Sequence, residues 1–323
     1  MRYVEVGGAR VSSIGLGTWQ CGSRECGYGS GYAEGEAERI VARALDLGIN
    51  LIDTAEIYAF GRSERIVGEA VAERRAEAFL ATKVFPMLPL GPVVEQRGRA
   101  SARRLRVAQI DLYQVHWPNP VVPLGTTMDG MRRLQGAGLV RHVGVSNFGL
   151  AQWQAAESTL GSPVLSNQVQ YSLAARKPDA GLVPWAGAND RLVIAYSPLA
   201  QGFLGARYDA SNPPGGVRAA NPLFLPENLE RGDELLRTLR EVAATHDATA
   251  AQVALAWVIR RRNVVAIPGA SSVAQLESNA AAADLELTDD EDARLTGASD
   301  RFVPRTGLAV APELLRRRVA ARR

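Results

Sequence analysis

The chain has 323 residues, 46% of them hydrophobic and 22% charged, so it can bury a large core and lacks the composition of a disordered or fibrous chain. Its net charge of +3 does not mark a nucleic-acid binder: the last nine residues hold five arginines and no acid, and without them 32 basic residues face 34 acidic ones. That tail, residues 315–323, reads as flexible and solvated. Two cysteines, Cys21 and Cys26, make neither a disulfide framework nor a zinc site. No apolar run reaches the roughly 18 residues of a membrane span, and the first residues have no signal-peptide core. A cytoplasmic protein with no membrane partner is expected.

In chain order, two β-rich runs at residues 3–6 and 9–12 flank Gly7-Gly8, a two-residue hairpin signal. From there, short β-rich runs alternate with segments of helical period. Strands are predicted at residues 14–17, 50–53, 79–84, 110–116, 142–146, 165–171, 192–197 and 264–268. Helices are predicted at 34–47, 63–74, 92–107, 128–137, 151–160, 178–188, 235–246 with 250–261, and 273–283. The first of these places Ile40, Val41, Ala44 and Leu45 on one face and stops at Gly48, a C-terminal signal. Eight strand–helix units predict an α/β protein, a (β/α)₈ TIM barrel forming one domain over residues 1–323, with its active site at the C-terminal ends of the strands. A doubly wound open sheet would require a Gly-x-Gly-x-x-Gly turn, and Gly15-Leu16-Gly17-Thr18-Trp19-Gln20 lacks the third glycine. Residues 201–228 read as a long loop after barrel strand seven, and a last helix at 289–298 precedes a C-terminal tail.

Polar residues at the ends of apolar strands carry the chemistry of such a barrel. Asp53, Lys83 and His116 each close one, and Tyr58 follows Asp53 by five residues. Each has a plainer reading: an Asp there can be a helix cap, a Tyr can be packing, and a lone His is commonly structural. Lys83 resists that reading, because the chain has 35 arginines and two lysines and so uses Arg wherever positive charge alone suffices. A buried ammonium needs a partner, and Asp53 can supply it. The pair would sit beside the Tyr58 hydroxyl, and the cation is expected to lower its pKa from about 10. A proton donor tuned in this way, with His116 orienting the same oxygen, suits protonation of a carbonyl as hydride reaches its carbon.

The chain resembles the aldo-keto reductases over essentially its whole length. The resemblance rests on Gly15-Leu16-Gly17-Thr18-Trp19, on Asp53-Thr54-Ala55-Glu56-Ile57-Tyr58, with Ala59 where the family usually has Gly, and on Ala81-Thr82-Lys83-Val84. It continues through Val115-His116-Trp117-Pro118, Gly144-Val145-Ser146-Asn147-Phe148, Asn167-Gln168-Val169, Tyr196-Ser197-Pro198-Leu199 and Ile267-Pro268-Gly269-Ala270. It implies a catalytic tetrad of Asp53, Tyr58, Lys83 and His116, with Tyr58 as general acid. It further implies that Ser146, Asn147 and Gln168 hold a nicotinamide carboxamide, that Tyr196 stacks on its ring, and that Thr18, Trp19 and Asp53 lie along the cofactor.

The loop that opens with Ser197, Pro198, Leu199 and Gln201 is glycine-rich, and Arg207 and Arg218 within it can neutralise a pyrophosphate. The resemblance to family members with a similar loop, the potassium-channel β subunits among them, places basic residues there. A 2′-phosphate would lie at the start of the last barrel helix, where free N–H groups favour anions. Gly269, Ser271, Gln275 and Asn279 line that stretch, with hydroxyls where many family members carry Lys and Arg. NADPH is the expected cofactor, with NADH possible. Trp19, Phe85 and Trp117 should line an apolar pocket for a small aldehyde or ketone. A monomer or weak homo-oligomer is expected. A cofactor-sensing protein is the alternative, but the channel subunits carry Asn where His116 stands. A metal-dependent hydrolase finds few ligands among three histidines, His116, His142 and His246.

Overall fold

Gly7 and Gly8 both adopt positive φ, 54° and 76°, the backbone of a tight hairpin turn that side chains disfavour. They reverse the chain between β1 (Tyr3–Val6) and β2 (Ala9–Ser12), which pair antiparallel with Val6 opposite Ala9. This computed structural model describes residues 1–21, 33–214, 221–305 and 307–310. Residues 315–323, Cys26 and Arg218 lie outside the described residues.

Eight parallel strands follow: β3 (Leu16–Gly17), β4 (Leu51–Asp53), β5 (Phe79–Val84), β6 (Ile110–Val115), β7 (Val140–Ser146), β8 (Ser166–Gln170), β9 (Leu192–Tyr196) and β10 (Val264–Ala266). They pair in sequence order. The sheet closes on itself where Ile14 bridges Ala266 and Gly17 bridges Gly269, with the Gly15 N–H donating to the Ala266 carbonyl at 2.8 Å. A Cβ on Gly17 would stand 2.8 Å from the Ile267 oxygen, so the seam closes because that residue has none. The result is the TIM barrel.

Around it run α1 (Ala33–Asp46), α2 (Arg62–Ala70), α3 (Gly91–Leu105), α4 (Leu124–Gly136), α5 (Leu150–Leu160), α6 (Leu182–Ala188), α7 (Pro226–Arg231), α8 (Asp233–Thr245), α9 (Ala250–Ile259), α10 (Val273–Ala281) and α11 (Asp289–Arg301). The helical periods are confirmed, with local differences. α4 begins four residues before the expected Met128; Pro123 precedes it, and the Thr127 hydroxyl donates to the Pro89 carbonyl at 2.9 Å, fastening a turn of weak helix formers. α7 occupies the end of what the sequence presents as loop. Its Asn228 amide donates to the Pro222 and Arg305 carbonyls, both at 2.8 Å, tying the loop to the chain after α11.

Two apolar clusters divide the interior. The larger lies between strands and helices and includes Trp153 and Trp257, both buried. The smaller fills the barrel itself: Val4, Val6 and Val11 of the hairpin pack against Leu51, Phe79 and Leu112. The hairpin is fastened there by Asn50, which accepts from the Ser12 N–H at 2.7 Å, and by Asp190, which accepts from the Gly7 N–H at 2.9 Å. Both anchors precede strands, so the hairpin stops the N-terminal mouth. Inward positions recur every second residue. The faces that start with Leu51, Phe79 and Leu112 therefore continue upward to Asp53, Lys83, and Gln114 with His116.

Candidate active site

All six residues of β5 are buried, and Lys83 is the largest charged side chain enclosed by the barrel. Its Nζ donates to Asp53 Oδ1 at 2.5 Å, the Thr54 carbonyl at 2.9 Å and the Tyr58 hydroxyl at 3.2 Å. Burial opposes its charge, but the Asp53 carboxylate and the Tyr58 oxygen outweigh that and hold the ammonium pKa above its ordinary value. The second Asp53 oxygen accepts from Gln168 Nε2 at 2.7 Å and Gln114 Nε2 at 3.4 Å. One carboxylate thus joins β4, β5, β6 and β8. Gln114 was not among the expected site residues. Its signal was available, because it lies two residues before His116 and so shares its face of β6.

Tyr58 opens a short 3₁₀ turn, Tyr58–Gly61, in which Ala59 and Phe60 take left-handed φ of 47° and 54°. The expected lowering of its pKa is corrected by the structure. Burial raises it, the Lys83 charge lowers it, and the Asp53 carboxylate raises it again, so the net direction is upward. Tyr58 is therefore a neutral phenol at neutral pH, held by hydrogen bond to a permanent cation.

His116 is buried, and burial followed by the Lys83 charge pushes its pKa down to about 2. The imidazole is neutral, and its buried Nδ1 has no hydrogen-bond partner. Its ring meets the Tyr58 ring edge-on at 6.0 Å and lies flat against Trp117 at 3.7 Å. Trp117 in turn meets Phe85 edge-on at 5.9 Å. The three expected pocket aromatics therefore split: Phe85 and Trp117 form one wall with His116, while Trp19 stands exposed beyond β3.

Four further residues gather at the adjacent ends of β7, β8 and β9. Asn147, at φ 62°, donates to the His116 carbonyl and to Ser146 Oγ, both at 3.1 Å, and accepts from the Tyr196 hydroxyl at 2.9 Å. Ser146 Oγ donates to the Gln168 carbonyl at 2.9 Å. Thr18 is turned inward: its hydroxyl donates to the Asp53 carbonyl at 2.9 Å and meets Ser63 Oγ at 2.8 Å, so it holds the Asp53 backbone.

After β9, Ser197 and Gln201 take φ of 49° and 58°, Pro198 is buried, and Leu199 packs on the core. Gln201 accepts from the Asn221 amide at 2.9 Å. Phe203 anchors this stretch by stacking on Phe302 at 5.1 Å, and Arg207 beyond it is exposed. At the start of α10 the capping residue is Ser272, while the Ser271 N–H and hydroxyl both donate to Gln275 Oε1, at 2.8 and 2.7 Å. Asn279 donates to the Gly269 carbonyl at 3.3 Å. No charged residue lies in the first turn of α10. Burial pushes the Cys21 thiol up to about 12, so it is not a reactive thiolate. Among the described residues no helix is long and apolar enough to cross a membrane, and no group of three His, Cys, Asp or Glu side chains could hold a metal ion.

Comparison with known proteins finds relatives over nearly the whole chain. A model described as the Aldo/keto reductase family matches residues 13–300. An uncharacterized oxidoreductase of Mycobacterium tuberculosis is 55% identical, with 100% of both chains covered. A methylglyoxal reductase of Escherichia coli is 35% identical over 90% of this chain and 92% of its own. Among solved structures, an aldo/keto reductase from Klebsiella pneumoniae in complex with NADP and acetate is 31% identical. It has a TM-score of 0.76 and covers 94% of this chain and 96% of its own.

Proposed function

The chain belongs to the aldo/keto reductase family of oxidoreductases, and from that premise we propose that it reduces an aldehyde or ketone to the alcohol with NADPH, Tyr58 donating the proton. The observation that carries the proposal is the fully enclosed Lys83 ammonium, held between Asp53 and the Tyr58 hydroxyl. A cation buried with one carboxylate partner is costly to build. Beside a phenol it has a use: as the Tyr58 proton leaves, negative charge grows on an oxygen 3.2 Å from that ammonium. The raised pKa keeps the phenol loaded at neutral pH.

NADPH held in this site would supply the hydride, and the chain's own part is to give the carbonyl oxygen the Tyr58 proton. Neutral His116 carries one ring N–H and can hold that oxygen in register without competing as an acid. Phe85 and Trp117, with Trp19 at the mouth, keep the carbonyl's apolar part out of water.

The residues fit a nicotinamide cofactor. Ser146 and Asn147 bring a hydroxyl and an amide together, Gln168 stands beside Ser146 with its amide bonded to Asp53, and Tyr196 is a half-buried ring bonded to Asn147, a set of donors and acceptors of the kind a carboxamide requires. We assign the cofactor's reach to Trp19, Ser197, Pro198, Leu199 and Gln201 near the ring, and to Arg207 and Arg218 at the phosphates, while the enclosed Thr18 acts only by holding the Asp53 backbone. Gly269, Ser271, Gln275 and Asn279 would take the 2′-phosphate with hydroxyls and helix N–H groups in place of a cation. The NADP in the Klebsiella pneumoniae structure supports NADPH, and the name of the Escherichia coli relative supports a small carbonyl compound. The test is NADPH oxidation followed at 340 nm with a panel of aldehydes and ketones, repeated with NADH. Carbonyl-dependent oxidation with tighter binding of NADPH is expected; no oxidation with any carbonyl, or a clear NADH preference, refutes the corresponding part.

A further inference from the structure

Between Asp53 and Tyr58 lies a carboxylate that the reaction does not use, Glu56, whose side chain is only 9% exposed. Three successive hydrogen bonds tie this connection to β5. The Thr54 N–H donates to the Ala81 carbonyl at 2.8 Å, the Glu56 N–H donates to the Lys83 carbonyl at 3.4 Å, and Glu56 Oε1 accepts from the Phe85 N–H at 2.6 Å. The first two continue the parallel ladder of β4 and β5. At the third step the chain leaves for the Tyr58 turn, and the Glu56 carboxylate takes the N–H that a strand carbonyl would have taken.

Glu56 is also held from outside the barrel. Arg97 of α3 approaches its Oε1 at 3.2 Å and donates to the Phe85 carbonyl at 2.7 Å, so the pair grips Phe85 by both its N–H and its carbonyl. On the other side of the Tyr58 turn, Glu64 accepts from the Thr82 hydroxyl of β5 at 2.7 Å and from Arg104 of α3 at 2.5 Å. The turn Tyr58–Gly61 therefore stands between two carboxylate feet, each resting on β5 and on α3. Its Ala59 and Phe60 are left-handed, and such backbone persists only where its surroundings over-determine it. Burial raises the Glu56 pKa, and the Phe85 N–H and the Arg97 charge lower it without cancelling the rise, so the carboxylate is kept there at a cost to folding.

We propose that Glu56 is a positioning residue of the reaction: its hydrogen bond to the Phe85 N–H fixes the Tyr58 turn to the end of β5 that carries Lys83, and so sets the Tyr58 hydroxyl 3.2 Å from the ammonium. This rests on the carbonyl-reductase reading, with Tyr58 as proton donor. Glu56 is two residues from Tyr58, and its own N–H already bonds the Lys83 carbonyl, so the two catalytic groups are referred to one short piece of backbone. A plain ion-pair partner for Arg97 would need only the charge. The hydrogen bond needs an oxygen at the reach of a Glu side chain.

Two variants separate the hydrogen bond from the charge. Glu56→Gln keeps an oxygen for the Phe85 N–H and loses the charge that faces Arg97; Glu56→Asp keeps the charge and is one carbon too short for the N–H. They are assayed with saturating NADPH and an aldehyde that the parent reduces. A misplacement of about 1 Å can cost about 100-fold, so a turn freed at one of its two feet should lose about tenfold in kcat in Glu56→Asp, with KM and the Kd for NADPH within about twofold. Glu56→Gln should stay within about twofold of the parent in kcat. Because the effect runs through the Tyr58 hydroxyl, adding Glu56→Asp to Tyr58→Phe should cost less than about twofold more. Parent kcat in Glu56→Asp, a larger loss in Glu56→Gln than in Glu56→Asp, or an undiminished loss in the Tyr58→Phe background overturns the inference alone. Parent turnover in Tyr58→Phe, or no NADPH oxidation with any carbonyl, overturns the reductase reading and this inference with it.

Discussion

Replacing Asp53 by Asn removes the negative charge that pairs with Lys83 and leaves the ammonium enclosed among uncharged acceptors, the new amide oxygen, the Thr54 carbonyl and the Tyr58 hydroxyl. Breaking a buried pair from one side costs about 3–5 kcal/mol, because the remaining charge is stranded. With an unfolding entropy of about 2.1 cal/mol/K per residue, a chain of this length loses about 4–7 °C in Tm for that cost. Removing both charges is different. The double variant Asp53→Asn with Lys83→Met has no stranded charge, and exchanging a buried pair for uncharged groups is often near neutral. Its Tm should return to within about 2 °C of the parent. Thermal unfolding followed by circular dichroism at pH 7 and fixed ionic strength measures all three proteins. A single variant melting within 1 °C of the parent, or a double variant no better than the single, would refute the account of Lys83 as a buried, paired ammonium.

His116 is neutral in the fold and titrates near 6.5 when unfolded, so its contribution is whole above that value and is lost as pH falls toward about 2. Between pH 6.5 and 5 this amounts to about 2 kcal/mol, and urea denaturation of His116→Asn should show a correspondingly shallower acid loss than the parent; equal slopes would contradict a neutral, buried imidazole. Ala59 stands at φ 47°, so Ala59→Gly should raise stability by about 0.5–1 kcal/mol in the same assay, relief of left-handed strain exceeding the entropy that Gly adds to the unfolded chain. A lower denaturation midpoint would show that the turn after Tyr58 is not strained.

The barrel was legible because its two periods are clean. Their positions at the ends of apolar strands singled out Asp53, Lys83 and His116, and the scarcity of lysine marked Lys83 most strongly. Less was legible where tertiary contacts override local preference. The first turn of α4 is built from poor helix formers and held by Thr127, and α7 is fastened by Asn228 to a carbonyl 77 residues away. The direction of the Tyr58 pKa failed for a related reason. A sequence shows that a cation lies near but not how deeply the phenol is buried, and burial raises the pKa more than Lys83 lowers it. Asn147 gives a third case: its motif was plain, yet its ties to His116, Ser146 and Tyr196 depend on how three strand ends meet.

The most direct test of the central claim is turnover by Tyr58→Phe. The substitution keeps the ring and removes only the hydroxyl bonded to Lys83. Loss of a general acid costs about 10²–10⁴-fold in rate, so kcat for carbonyl reduction should fall by at least 100-fold while the Kd for NADPH, read by fluorescence titration, stays within about twofold. Unaltered turnover by the Phe variant would contradict the assignment of Tyr58 as the proton donor.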